Sequence, residues 1–437
     1  MPKKTAAPEK NSKKEVKSPL LQSPRGMHDI LPSMMPVWVK IEDEAKEIAE
    51  FYGFSRIEPS LLEPAELFER GVGEETDVVQ KEMYVFKSRS GDRMALRPEA
   101  TASIVRSYIQ HGLSHLGQPL KLFYIGPMFR KEQPQAGRFR QFHQAGFEIL
   151  GSDDDSVHDA QIILAIFKLL ERLKIKNLSL HINSVGCRIC RPNYRKKLVE
   201  YYRDQEVCKD CERRLKVNPI RALDCKKEVC QPAKAGVPNI FDSLCSPCRS
   251  HLKQVLEYIE EMKLPYVLNH LLVRGLDYYS RTVFEIFLEE GNLALAGGGR
   301  YDYLAEILGG RPTPAVGGAM GIERIIEILE ASGTTVSLRN SKPRVFLVHI
   351  GDNAKKKSLS LMEELRRSNI LTSNALGKDS LSAQLEAANK MGVSLALILG
   401  QREVYEESII VRDMVSGVQE PVLLKNVVEE VKRRLKG

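Results

Sequence analysis

The chain has 437 residues, 43% apolar and 28% charged, with a formal net charge of +8. That length exceeds one ordinary domain and implies two or three, and the composition is that of a globular protein with room for large cores. No secretory leader pattern and no apolar run of about 18 residues occurs, which argues against export and membrane spanning and makes the cytoplasm the expected compartment.

Residues 1–18 hold six lysines against two glutamates, half of the excess charge, and almost no large apolar side chain. Such a tail is expected to be disordered, either a solubilising extension or a weak, salt-sensitive contact for nucleic acid. Apolar residues at Val37, Ile41, Ala45 and Ile48 then predict a helix over 37–52. Pro59 and Pro64 favour an extended segment between them. Residues 81–101 read as a strand, a turn at Ser90-Gly91-Asp92, a second strand and a helix opening after Pro98. Glu99 and Thr101 fall at that strand-to-helix junction, where a carboxylate and a hydroxyl can point into a pocket or, for Thr101, cap the helix.

Residues 123–151 (FYIGPMFRKEQPQAGRFRQFHQAGFEILG) predict a long antiparallel hairpin. Alternation puts Phe142, Gln144, Gly146 and Glu148 on one face of its second strand, and His143, Ala145, Phe147 and Ile149 on the other. An aromatic, an amide and a carboxylate in a row, beside Arg130, Lys131, Arg138 and Arg140, suit a small polar ligand with a polyphosphate; an ordinary charged hairpin is the competing reading. An apolar helix follows the acidic run 153–155, then a strand at 177–186.

All eight cysteines fall in 187–250, paired as Cys187/Cys190, Cys208/Cys211, Cys225/Cys230 and Cys245/Cys248. In a reducing compartment such spacings favour metal over disulfides, with structural zinc as the candidate ion. Two four-thiolate sites, one site with spare thiols, and a thiol-rich insertion without metal all fit, and no pairing scheme can be read from the spacing. The segment reads as an inserted, mainly helical module. Sheet character returns at 268–289, including LDYY and TVFEIF. Arg274, beside Gly275 in an apolar stretch, needs an anionic partner if buried. Glycines 297–299 permit a close backbone approach, as a bulge or turn also would. A glycine-rich strand then runs into a helix with Glu323 and Arg324 in its first turn, and 332–342 is a polar linker. From residue 343, alternating strands and helices predict a compact α/β domain of about ninety residues.

These stretches resemble the histidyl-tRNA synthetases, a family of class II aminoacyl-tRNA synthetases, from about residue 20 to the end. FRKE at 129–132 is similar to class II motif 2 and GIER at 321–324 to motif 3, while SLLEPAELF occupies the place of the degenerate motif 1. LVRGLDYYSRTVFE and AGGGRYD resemble the two motifs peculiar to the histidine enzymes. The implied fold is an α+β catalytic domain (19–331) with an antiparallel sheet of six or more strands, a Cys-rich, mainly helical insertion (187–250) and a C-terminal α/β anticodon-binding domain (343–437).

The resemblance implies ligation of L-histidine to tRNA(His) through histidyl-adenylate, with ATP and Mg2+, by a homodimer. It places Arg130 on the α-phosphate and Arg274 between that phosphate and the substrate carboxylate, where other members of the class use a metal. Glu99, Thr101 and Gln144, with Ala100 beside them, are implied at the amino group of histidine. Glu148 and Tyr279 are implied at the imidazole, with Tyr278 adjacent. Glu132 joins the ATP site, Phe142 and Arg324 sandwich the adenine, and Gln133 and Gln135 meet the tRNA acceptor end. Ala100 stands where Gly is frequent, Gln133 where Arg is common and Ser280 where Asn or Thr is frequent; the second puts recognition of an extra 5′ guanosine in doubt. A silent paralogue such as the regulatory subunit of ATP phosphoribosyltransferase typically lacks the anticodon-binding domain and intact histidine motifs. A non-catalytic nucleic-acid binder would not need Arg130, Arg274 and Arg324 together.

Overall fold

The computed structural model describes residues 21–133, 137–151, 153–289, 294–332, 344–377 and 380–436. The chain divides into two compact units, Met1–Val336 and Ser337–Gly437. The Lys-rich tail and most of the polar linker lie outside the described residues.

The first unit is organised on strands β1 (Ser55–Arg56), β2 (Leu62–Pro64), β3 (Tyr84–Lys87), β4 (Arg93–Leu96), β5 (Leu120–Phe129), β6 (Gln141–Leu150), β7 (Leu178–Ser184), β8 (Tyr266–Leu268), β9 (Ser280–Leu288), β10 (Ala294–Arg300) and β11 (Ala315–Gly321). Eight of these form one sheet in the order β1-β5-β6-β11-β10-β9-β7-β8, and β2-β4-β3 form a small second one. The six strands from β5 to β7 are antiparallel to their neighbours, while the short β1 and β8 add to the edges in parallel. The sheet is therefore the expected antiparallel one with two parallel edge strands that are too short to show a pattern.

The central hairpin is fully paired, from Leu120 opposite Leu150 to Phe129 opposite Gln141. The face of β6 carrying Ala145, Phe147 and Ile149 enters the core, where the Phe147 ring meets Phe54 and Phe123 at centroid distances of 5.3 and 5.2 Å. The helix Val157–Arg172 is buried on most of its circumference and packs on β11 and on the helix Ser246–Glu261. The helix Met35–Phe51 buries Ile41, Ala45 and Ile48 as its spacing predicts, but the stripe is completed by Trp38, while Val37 is half-buried. The helix Thr101–Gln110 opens three residues after Pro98, as expected.

The cysteine segment is helical: Arg191–Tyr202, Lys209–Val217, Gln231–Ala235 and the start of Ser246–Glu261, joined by 3₁₀ turns. LDYY at 276–279 departs from expectation. It is a bend before β9 rather than a strand, because Tyr278 and Tyr279 both turn inward and their adjacent rings stand 4.7 Å apart. Alternation along a strand would send one of them to each face.

The second unit has strands β12 (Val345–His349), β13 (Thr372–Asn374), β14 (Leu395–Leu399), β15 (Ser408–Asp413) and β16 (Gln419–Leu423) in the order β13-β12-β14-β15-β16. The first three are parallel and the last two antiparallel. Val345–His349 and Leu395–Leu399 are buried at every position, as parallel strands covered on both faces require.

Candidate active site

Three segments bring guanidinium groups to one cavity of about 280 Å³. Arg130 comes from the end of β5, Arg274 from the bend before β9, and Arg324 from the first turn of the helix Ile322–Ala331; Glu132, Phe142 and Gln144 complete the wall. Arg130 is fixed by donating Nε to Pro98 O at 3.0 Å, and its guanidinium stands over the Phe142 ring at 5.3 Å. Arg324 donates to Gly137 O at 3.0 Å and Ala294 O at 2.7 Å. Burial, with Arg138 and Arg130 nearby, pushes its pKa below the ordinary arginine value. Arg130, Arg138, Arg274 and Arg324 outnumber Glu132, Glu285 and Glu323 on the wall, and this positive excess in a partly desolvated cleft favours an anion.

Arg274 answers the demand for a partner by an ion pair to Glu285 on β9. Burial opposes its charge, yet Glu285 and Tyr279 raise its pKa above the ordinary value. Its Nε is buried with no hydrogen-bond partner among the described residues. The close approach depends on Gly297: a Cβ there would lie 2.6 Å from Arg274 Nη1. Gly297 thus makes room for the protein's own arginine at the cavity wall, while Gly298 and Gly299 serve strand packing and the bulge at Arg300.

Beside the cavity, Glu99, Thr101, Glu148, Tyr278 and Tyr279 are buried together. Both Glu99 oxygens accept helix amides, from Thr101 N at 2.7 Å and Ala102 N at 2.9 Å, and Tyr278 OH donates to the same carboxylate at 3.4 Å. Glu99 therefore takes the capping role that the sequence left open to Thr101. Thr101 instead donates its hydroxyl to Glu148 Oε1 at 2.8 Å. Ala100 is buried at the helix start. Burial pushes the Glu148 pKa up to about 8, against the hydrogen bonds from Tyr301 and Thr101. Glu99 is raised for the same cause, with its amide bonds opposing.

Sequence reasoning missed Tyr301, which donates to Glu148 Oε2 at 2.5 Å, and Glu285. Tyr301 lies inside the AGGGRYD motif, and Glu285 shares the cavity face of β9, so both were open to a closer reading of the motifs. Gln133 is exposed and outside the cluster, and Gln135 lies outside the described residues.

The eight thiols sort into two groups, Cys187, Cys190, Cys245 and Cys248, and Cys208, Cys211, Cys225 and Cys230, each with all four sulfurs within 4.8 Å of one another. The sulfur separations of 3.7–3.8 Å exceed a disulfide bond and match the edge of a tetrahedron about 3.8 Å long that follows from metal–sulfur bonds of about 2.3 Å. Amide donors to sulfur, from Cys187 N to Cys190 and from Cys208 N to Cys230, both 3.2 Å, suit thiolates. Either group could hold a metal ion.

A family model described as histidyl-tRNA synthetase matches residues 26–191 and 196–325, and an anticodon binding domain model matches 344–434. The histidine–tRNA ligase of Thermodesulfovibrio yellowstonii is 44% identical over 415 residues, covering 94% of this chain and 98% of that protein. That of Dehalococcoides mccartyi is 44% identical over 420 residues, covering 95% of this chain and all of the relative. The crystal structure of apo Staphylococcus aureus histidyl-tRNA synthetase superposes with a TM-score of 0.78 at 32% identity, over 94% of this chain and 99% of that one. A Bacillus halodurans structure titled as an ATP phosphoribosyltransferase regulatory subunit/histidyl-tRNA synthetase shares the fold at 20% identity and a TM-score of 0.61. With both models matched in order along nearly the whole chain, and relatives of this identity aligned end to end, the chain belongs to the histidyl-tRNA synthetase family.

Proposed function

We propose that this protein joins L-histidine to tRNA(His) in two steps, with residues 19–331 as catalytic domain, 187–250 as an insertion facing the tRNA acceptor arm, and 343–437 as anticodon-binding domain. The observation that carries the reading is the meeting of Arg130, Arg274 and Arg324 at one cavity beside a buried acid–phenol cluster. A histidine carboxylate oxygen attacks the α-phosphorus of ATP, forming the mixed anhydride as the bond to pyrophosphate breaks. Both reactants are anionic, so the protein's work is alignment and neutralisation, by Arg130 on the α-phosphate and by Arg274 between that phosphate and the carboxylate. The terminal ribose hydroxyl of tRNA then attacks the acyl carbon and AMP leaves.

Phe142 and Arg324 take the two faces of adenine, which requires Arg130 to leave the Phe142 ring for the phosphate. Glu99, Thr101 and Gln144 receive the amino group; Glu148, Tyr279 and Tyr278 read the imidazole, with Tyr301 and Thr101 fixing Glu148. A ligand lacking the ring nitrogens would leave these buried groups unpaired. Mg2+ supplies neutralisation of the leaving phosphates, and Glu132, held by Arg138 at 3.2 Å, is the cavity carboxylate suited to it.

Gln133 and Gln135 face the acceptor end of the tRNA. The two thiolate groups hold zinc, the ion that four thiolates at tetrahedral spacing select. Leu61, Leu62, Val85 and Phe86, exposed on and beside the β2-β4-β3 sheet, supply the apolar surface of a homodimer, and the reaction runs in the cytoplasm. Among the described residues no helix is long and apolar enough to cross a membrane.

Exchange of labelled pyrophosphate into ATP, with the twenty amino acids offered singly, tests the reading. Exchange with histidine alone supports it. Folded protein without exchange would make it a silent paralogue or a binder.

A further inference from the structure

The insertion does more than border the catalytic unit: one of its arms grips two segments that wall the cavity. Asp77 belongs to the stretch from Gly73 to Met83, whose Val78 lines the cavity. Its Oδ2 accepts from Arg214 at 2.7 Å and Arg221 at 3.3 Å, and its Oδ1 from Lys81 at 3.1 Å. Arg221 also donates to Glu75 O at 2.5 Å. Asn218 donates to Asp277 Oδ1 at 2.9 Å, immediately before Tyr278 and Tyr279. The two walls meet there, since Asp277 N donates to Val72 O at 3.0 Å and a Cβ on Gly73 would stand 2.8 Å from the Asp277 carboxylate.

Arg214, Asn218 and Arg221 all lie between Cys211 and Cys225, two members of the second thiolate group. The arm is the helix Lys209–Val217 and the 3₁₀ turn Pro219–Asp224, with Ile220, Ala222 and Leu223 buried beneath it. A single coordination sphere at Cys208, Cys211, Cys225 and Cys230 fixes both ends of this arm. Ordering a short loop by its ends removes conformational freedom that weak side-chain contacts would otherwise have to oppose.

We propose that metal at the Cys208–Cys211–Cys225–Cys230 site is a brace for the amino-acid pocket: it holds Arg214, Asn218 and Arg221 as positioning residues on Asp77 and Asp277, and so sets the affinity for histidine. This rests on the zinc assignment above. The brace makes no contact with the reacting atoms, so its loss raises KM for histidine while kcat changes little.

The test uses the full chain purified without chelator. Wild type should carry two zinc ions, and Cys208→Ser/Cys211→Ser one. In the pyrophosphate exchange assay the double variant should show a KM for histidine about tenfold higher with kcat within about twofold, the scale of supporting contacts one step behind a site. Hydrogen exchange in residues 73–83 should quicken in parallel. Arg221→Ala keeps both zinc ions and should give the same KM shift, with partial recovery in Arg221→Lys; this variant decides the matter if the double variant fails to fold. Two zinc ions in Arg221→Ala with unchanged KM and unchanged exchange at 73–83 would overturn the brace and leave zinc standing. Wild-type protein without zinc would overturn the metal assignment and the brace with it.

Discussion

Glu148 is buried between the hydroxyls of Thr101 and Tyr301, and its pKa pushed up to about 8 gives the pocket a proton to trade. Free histidine loses its ring proton near pH 6.5. Between those values the empty site holds a carboxylic acid and the ligand a neutral ring, together the one proton that a carboxylate–imidazolium pair needs. Below about 6.5 one proton must be shed on binding, and above about 8 one must be taken up, so KM for histidine should be lowest between them and rise about tenfold per pH unit beyond. Glu148→Gln should raise KM and abolish the alkaline limb, read from exchange kinetics across pH. The sign on stability is separate: the raised pKa means the folded state holds more protons between about 4.5 and 8, so stability falls as pH rises through that window, and thermal unfolding of Glu148→Gln should lack this slope. Arg274 is tested differently. Arg274→His should lower adenylate formation by about 100-fold or more, the scale of losing one charge-stabilising group, with circular dichroism unchanged. Near-normal turnover would remove Arg274 from the mechanism.

At the scale of elements, the two long hairpin strands were legible because an alternating pattern over ten residues each leaves one register that buries Phe147 and faces Glu148 to the site. The features that escaped are short or ambiguous. Strand β16 carries Pro421 and lies at the sheet edge, where a missing amide is tolerated. The double inward turn of Tyr278 and Tyr279 contradicts strand alternation and is set by partners far away in sequence, Glu99 and the insertion, which no local pattern reveals. Pairing of the thiols was likewise closed to spacing, because Cys187 and Cys190 join Cys245 and Cys248 only once the helices of the insertion are folded. The glycines of β11 were visible only as a glycine-rich strand, but one has a specific task. Gly317 lies opposite Glu148 in register, and a Cβ there would fall 1.5 Å from Glu148 Oε2. Gly317→Ala must displace either the strand or the carboxylate; KM for histidine should rise at least about tenfold, with a smaller effect on KM for ATP. Equal effects on both substrates would mean that the strand itself had moved.

For the whole molecule, the division between Val336 and Ser337 lies close to the change of sequence texture near residue 343. The first unit has its own core around the large sheet; the second has cores on both sides of its five-stranded sheet, built from Leu347, Leu397 and Ile409 on one face and Phe346, Val348 and Ile398 on the other. Each therefore buries enough apolar surface to fold by itself. All the side chains assigned to adenylate chemistry, from Glu99 to Arg324, belong to the first unit, and none is supplied by residues after the linker. A chain ended at residue 331 should thus keep histidine-dependent pyrophosphate exchange within a few-fold of the full protein. Transfer to tRNA is another matter, because the acceptor end and the anticodon are two parts of one rigid ligand. Removing one of two linked contacts costs the effective concentration that the other supplies, so charging of tRNA(His) should fall by about 100-fold or more, chiefly through KM for tRNA. Exchange and charging assayed on the same shortened protein separate the possibilities: loss of both would mean that the first unit needs the second to fold or to react, and loss of neither would remove the C-terminal unit from tRNA recognition.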